Sequence, residues 1–225
     1  LSAGIAYIIA SWYTRITNEA QTTPPQLEDF AVGKTNGNTS ILKAMEKYLS
    51  GQKAEAASDL IIIIHTSSRA DASYLLGIMR QRESLTGYAI TNFTEYLKKD
   101  PRGRYATTAK CRIIQILLVK LLVEGDPFKR AVQSNDIRIR FEAVLQEDPE
   151  SMIVQKIRVA TLTVFRDYKT AWSVVTNTRI ESEIASDPYF SWIFNVLGLE
   201  HLRAGKYTKA KHLLEIAVKV RPFDP

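Results

Sequence analysis

Residues 191–225 read SWIFNVLGLEHLRAGKYTKAKHLLEIAVKVRPFDP, and this stretch decides the fold. Bulky apolar residues at Phe194, Leu197, Tyr207 and Leu214 alternate with small ones at Gly198, Ala210 and Ala217. Two antiparallel helices approach closely only where side chains are small, so the small residues are read as contact points and the bulky ones as filler between them. Gly205 supplies a left-handed cap that ends the first helix, and Pro222 stops the second. The segment is therefore predicted to be a helix hairpin whose apolar face needs a neighbour.

Neighbours of the same kind lie upstream. Between 70 and 101, Leu76-Gly77, Ala89, Phe93, Tyr96 and Pro101 fall at the offsets of Leu197-Gly198, Ala210, Leu214, Ala217 and Pro222. Residues 37–68 fit more loosely, with Ala44 at the small place, Gly51 at the turn, Ala56 opening the second helix, and Leu60 and Ile63 on its buried side. A further unit starts near 104 with Cys111 at the small place, but Pro149 lies 48 residues after Pro101, so residues 125–136 are read as an insertion. Residues 151–188 form another hairpin, Tyr168 and Ala171 opening its second helix and Asp187-Pro188 ending it, with a second insertion at 176–187.

These residues resemble a tetratricopeptide repeat, a helix-turn-helix unit of about 34 residues. Leu197-Gly198 stand for its Leu-Gly pair, Tyr207 and Ala210 open the second helix, Leu214 takes the Phe place, and Ala217 and Pro222 close the unit; His201 departs where an aromatic is expected. The resemblance implies an all-α, right-handed α-solenoid of about five hairpins over residues 37–225. It also implies a concave groove, lined by the first helices, that receives a peptide or a partner's helix. The groove positions are Tyr74, Ile78 and Arg82, then Thr108, Arg112 and Gln115, then Asn195, Leu199 and Arg203. Aromatic, apolar and Arg residues together can hold such segments and pair with their carboxylates. The regular Lys and Asn set of members that clamp a C-terminal carboxylate is missing, so that ligand is not expected.

Composition agrees with a folded chain: 45% of the 225 residues are hydrophobic and 24% charged, ordinary shares for a globular protein. The apolar runs 61–64 and 113–122 sit in long helical windows and are read as buried helix faces.

Residues 1–13, LSAGIAYIIASWY, carry no charge and are apolar all round a helix. A span needs about 20 apolar residues. The chain opens without Met, so residues 1–16 are read as the end of a transmembrane or anchoring helix, with Trp12 and Tyr13 as an interfacial belt and 17–36 as a linker. The other reading is a helix packed on the first repeat. The following stretch carries Arg15 and Lys34 against Glu19, Glu28 and Asp29, which is not a basic cytoplasmic flank. Membrane-anchored repeats on the periplasmic or external side are expected.

Net charge is +6 and unevenly spread. Lys98, Lys99, Arg102, Arg104, Lys110, Arg112 and Lys120 form one basic group; Arg203, Lys206, Lys209, Lys211, Lys219 and Arg221 form another. They read either as footprints for acidic partners, lipid head groups or nucleic acid, or as solvated faces and helix C-termini. No aromatic interleaving accompanies them, which argues against nucleic acid.

Catalysis finds no motif. His65, His201 and His212 lie outside H-E-x-x-H, and neither phosphate-binding glycine loop occurs. His201 and His212 could face each other across the last hairpin, yet a metal would need more ligands. The acidic pairs Glu181/Glu183 and Asp148/Glu150 read as caps or solvated surface, and Cys111 as a packing residue. No enzymatic activity, metal or cofactor is expected. Proteins of similar layout, one span followed by such repeats, are accessory subunits in secretion and envelope assembly. The expected function is thus a non-enzymatic, membrane-anchored interaction scaffold. The alternative is a soluble basic repeat that binds nucleic acid, or a repeat appendage of a catalytic domain; phosphate contacts would betray themselves by a steep salt dependence.

Overall fold

The computed structural model describes residues 39–67, 69–187, 190 and 192–220. The expected anchor, the linker, and the terminators Pro188 and Pro222 lie outside the described residues. Those residues form eleven helices and no strand. In chain order these are α1 (Thr39–Leu49), α2 (Lys53–Ser67), α3 (Ala70–Arg82), α4 (Thr86–Lys99), α5 (Ala106–Val123), α6 (Pro127–Glu147), α7 (Met152–Val164), α8 (Tyr168–Val175), α9 (Thr178–Ser186), α10 (Trp192–Arg203) and α11 (Tyr207–Val220). The chain divides into two compact units, one ending at Ile113 and the other beginning at Ile114, inside α5. Among the described residues no helix is long and apolar enough to cross a membrane.

Four hairpins share one closing geometry. A single residue in each turn takes the left-handed conformation: Gly51 (φ 89°), Ser84 (φ 61°), Arg166 (φ 65°) and Gly205 (φ 71°). In each turn the next residue donates back five positions: Gln52 to Lys47 (2.9 Å), Leu85 to Arg80 (2.8 Å), Asp167 to Leu162 (2.9 Å) and Lys206 to His201 (2.9 Å). This is the Schellman closure, which satisfies carbonyls left open at a helix end. The carbonyl of that same residue then accepts the first bond of the following helix, in every case from an alanine: Ala56, Ala89, Ala171 and Ala210, at 2.9–3.0 Å. All four alanines are buried, as the hairpin reading requires.

Seven residues before each left-handed residue and nine after it, the paired helices share volume between two side chains. A Cβ on Gly77 would lie 2.7 Å from two ring carbons of Phe93, and a Cβ on Gly198 would lie 2.8 Å from Leu214. At the same places α1/α2 carries Ala44 and Leu60, and α7/α8 carries Val159 and Val175, all four buried. As the first residue grows the second shrinks, which keeps the helix pair at one close spacing. In the hairpin of α7 and α8 the place held elsewhere by glycine or alanine thus falls to Val159.

In the unit ending at Ile113, α1 packs on α2, α2 on α3 and α3 on α4. Flanked on two sides, α3 is buried over most of its circumference from Ala72 to Met79, whereas α4 buries only Ala89, Phe93 and Tyr96. In the other unit α7 packs on α6, α8 and α10, and α10 packs on α11.

Several expectations need correction. Residues 125–136 are not a loop insertion. Asp126 caps α6 by accepting from Phe128 N–H (2.8 Å) and Lys129 N–H (3.2 Å), and Pro127 occupies the first helical position, where a missing N–H is harmless. The wide proline spacing is taken up by longer helices, 18 residues in α5 against 13 in α3, and 21 in α6 against 14 in α4. The second helix of the 151–188 hairpin ends at Val175, not at Asp187-Pro188, because Asn177 caps a separate helix, α9, through Arg179 N–H (3.1 Å). The run 61–64 is helical but is not a buried face: Ile61 and Ile62 are 39% and 58% exposed, and Ile64 and Ile63, the latter expected on the buried side, are only half-buried.

Candidate partner-binding site

The nine groove positions fall into different environments. Tyr74, Ile78 and Gln115 are interior side chains, which corrects their assignment as exposed lining. The reason for Tyr74 is an aromatic cluster. Its ring stacks on Tyr105 at 4.3 Å and 2°, and lies 5.8 and 5.5 Å from Phe93 and Tyr96. Tyr105 N–H donates to the Tyr96 hydroxyl at 3.0 Å. Burial pushes the phenols of Tyr96 and Tyr105 above their ordinary range. Arg82, Thr108, Arg112, Asn195 and Leu199 are half-buried, and Arg203 is exposed and paired with Glu200.

A second constellation, which the sequence did not suggest, lies where α8, α10 and α11 meet. Trp172 of α8 receives the His201 ring edge-on at 4.8 Å and 80°, and Lys209 Nζ sits 5.3 Å from the Trp172 ring centre. Desolvation, then Lys206 and Lys209, hold the His201 imidazole below its usual range. Neither Lys206 nor Lys209 forms an ion pair among the described residues. A half-buried Trp beside exposed cations is the residue type that anchors protein interfaces, and the cations suit carboxylates. In sequence Trp172 stands 31 residues before Arg203, the first of the basic group of the last repeat, so no local pattern joins them.

Near this face the α9 segment is held by charge. Lys156, 12% exposed, donates to Asp187 at 2.9 Å, lies 3.7 Å from Glu183, and stands 5.8 Å over the Phe190 ring. Glu181 meets His212 Nε2 at 3.0 Å. Thus Glu181 and Glu183 bridge helices and are not merely solvated, and His212 and His201 do not face each other. Among the described residues no three His, Cys, Asp or Glu side chains gather as metal ligands. An open depression of about 540 Å³ runs along α11, lined by Lys211, Leu214, Glu215, Val218 and Lys219.

No protein-family model matches the chain, and no characterised protein does.

Proposed function

We propose that the chain is a right-handed, tetratricopeptide-like α-solenoid that acts as a non-enzymatic protein–protein interaction scaffold. In this reading it is a membrane-anchored accessory or assembly subunit of a larger membrane or envelope complex, its repeats on the periplasmic or external side. The observation that carries the reading is the fourfold recurrence of one hairpin closure, at Gly51, Ser84, Arg166 and Gly205. Repeated hairpins of this kind are built to present surface to partners. The uncharged residues 1–13 support the anchor. The Trp172–His201–Lys209 patch supplies the aromatic and cationic contacts a protein partner would use.

Membrane fractionation of the native protein, gentle detergent extraction and mass spectrometry test this. Stoichiometric partners in the membrane fraction, lost on Trp172→Ala with Lys209→Glu, are expected. A partner-free protein in the soluble fraction would overturn both the anchor and the scaffold.

A further inference from the structure

The repeat register shows which face of the α10/α11 hairpin is left uncovered. Three residues before the left-handed turn residue, Tyr48, Gln81 and Thr163 are 2%, 2% and 1% exposed, whereas Leu202 in the same place is 44% exposed. Nine residues after it, Leu60, Phe93 and Val175 are fully buried, whereas Leu214 is only half-buried. In each unit the chain shows what packs behind such a hairpin: α3 lies on α2, and α10 lies on α7 and α8. Among the described residues no helix follows α11. Leu202 stands one helical turn beyond Gly198, whose added Cβ would touch Leu214, so the two leucines belong to one face of the hairpin. Val218, one turn beyond Leu214 and 58% exposed, shares with it the open depression along α11. A hairpin with nothing stacked on it stays soluble through a polar outer face. This one presents Leu202, Leu214 and Val218 instead.

We propose that this face docks an acidic amphipathic helix of a partner protein, seated as the first helix of a following hairpin is seated elsewhere in the chain. The register supplies the shape of the occupant, and charge supplies its chemistry. α11 carries Lys209, Lys211 and Lys219 against a single acid, Glu215, which lies 3.9 Å from Lys211. Lys211 and Lys219 both line the depression, beside its apolar floor of Leu214 and Val218. A helix with apolar anchors at three- and four-residue spacing fills such a floor, and carboxylates flanking those anchors meet the lysines. α9 already shows α11 taking this chemistry, with Glu181 on His212 at 3.0 Å. A second copy of the chain does not offer such a helix. Of the eleven helices only α2 and α9 hold more acids than bases, and those acids are engaged: Glu55 and Asp59 by Lys47, Glu181 by His212, and Glu183 by Lys156. The inference rests on the scaffold reading and adds to it a contact lined by residues outside the Trp172 patch.

A photocrosslinking amino acid placed at Val218 of the full chain in living cells tests it, with a control at Tyr88, 67% exposed in the other unit, and mass spectrometry of the captured segment. Val218 faces water, so the label leaves the core intact, and circular dichroism of the purified variants confirms it. Val218 is expected to capture one segment of another protein, with apolar residues at three- and four-residue spacing and more Asp and Glu than Lys and Arg, which the Tyr88 control does not capture. Lys211→Glu with Lys219→Glu should cut that yield about tenfold. Partners that co-purify but are not captured at Val218 overturn the inference and leave the scaffold reading standing. So does capture of a basic or non-periodic segment, capture of this chain itself, or a yield unmoved by the charge reversal. A chain with no partner by either route overturns both.

Discussion

Gly77→Ala should destabilise the protein although alanine is the better helix former. The added Cβ would sit 2.7 Å from Cδ1 and Cε1 of Phe93 and 3.1 Å from Cζ. Ordinary contact requires the ring to retreat by roughly 1 Å. Phe93 is fully buried and Tyr74 packs 5.8 Å from it, so the retreat disturbs the whole aromatic cluster. Overpacking of this kind costs about 1–3 kcal/mol, and with both ring carbons at 2.7 Å the upper half of that range applies; against about 1 kcal/mol gained from helix propensity this leaves a net loss of up to about 2 kcal/mol. Gly198→Ala meets Leu214 instead, at 2.8 Å, but Leu214 is only half-buried and can turn towards solvent, so its net effect should lie within about 0.5 kcal/mol of zero. Combining Gly77→Ala with Phe93→Leu recreates the Ala44–Leu60 pairing of the first hairpin and should recover about 1 kcal/mol of coupling. Urea and thermal unfolding followed by far-UV circular dichroism read all three, with a shift of about 2–4 °C per kcal/mol. If Gly77→Ala proves as stable as the parent, or shows no coupling to Phe93→Leu, shared volume is not what fixes the helix spacing.

Three further outcomes are expected. Lys156→Met removes the cation from Asp187 and Glu183 and should cost about 1–2 kcal/mol, with hydrogen exchange accelerating in α9 before other helices. Asp126→Ala deletes the cap of α6 and should cost about 1 kcal/mol, measurable as lost helicity and stability. The His201 imidazole is lowered in the folded state, so below pH 6.5 the unfolded chain takes up the proton first. Its contribution is whole above 6.5 and is lost as pH falls from there through the folded value; His201→Gln should flatten the stability profile across that window.

The hairpins were legible because their determinants are local. A glycine or alanine opposite a bulky residue, and an alanine opening the second helix, fix the pairing at short sequence distance, and Gly77–Phe93 and Gly198–Leu214 form as their spacing implied. What was not legible depended on neighbours distant in sequence. Tyr74 belongs to the core because Tyr105 stacks on it, and nothing between 74 and 105 announces that contact. Lys156 is held by Asp187, 31 residues on. The capping signals of α6 and α9, Asp126-Pro127 and Asn177, were present but were outweighed by the polar look of the residues around them.

Two of the four turns carry a side chain where glycine would sit at ease. Ser84 and Arg166 hold φ values of 61° and 65°, a conformation that costs a residue with a Cβ roughly 1 kcal/mol. Neither turn has relaxed away from it, so the hydrogen bonds around it outweigh the local penalty. The chain therefore has thermal headroom at two known positions: Ser84→Gly and Arg166→Gly should each raise its melting temperature without touching a helix face.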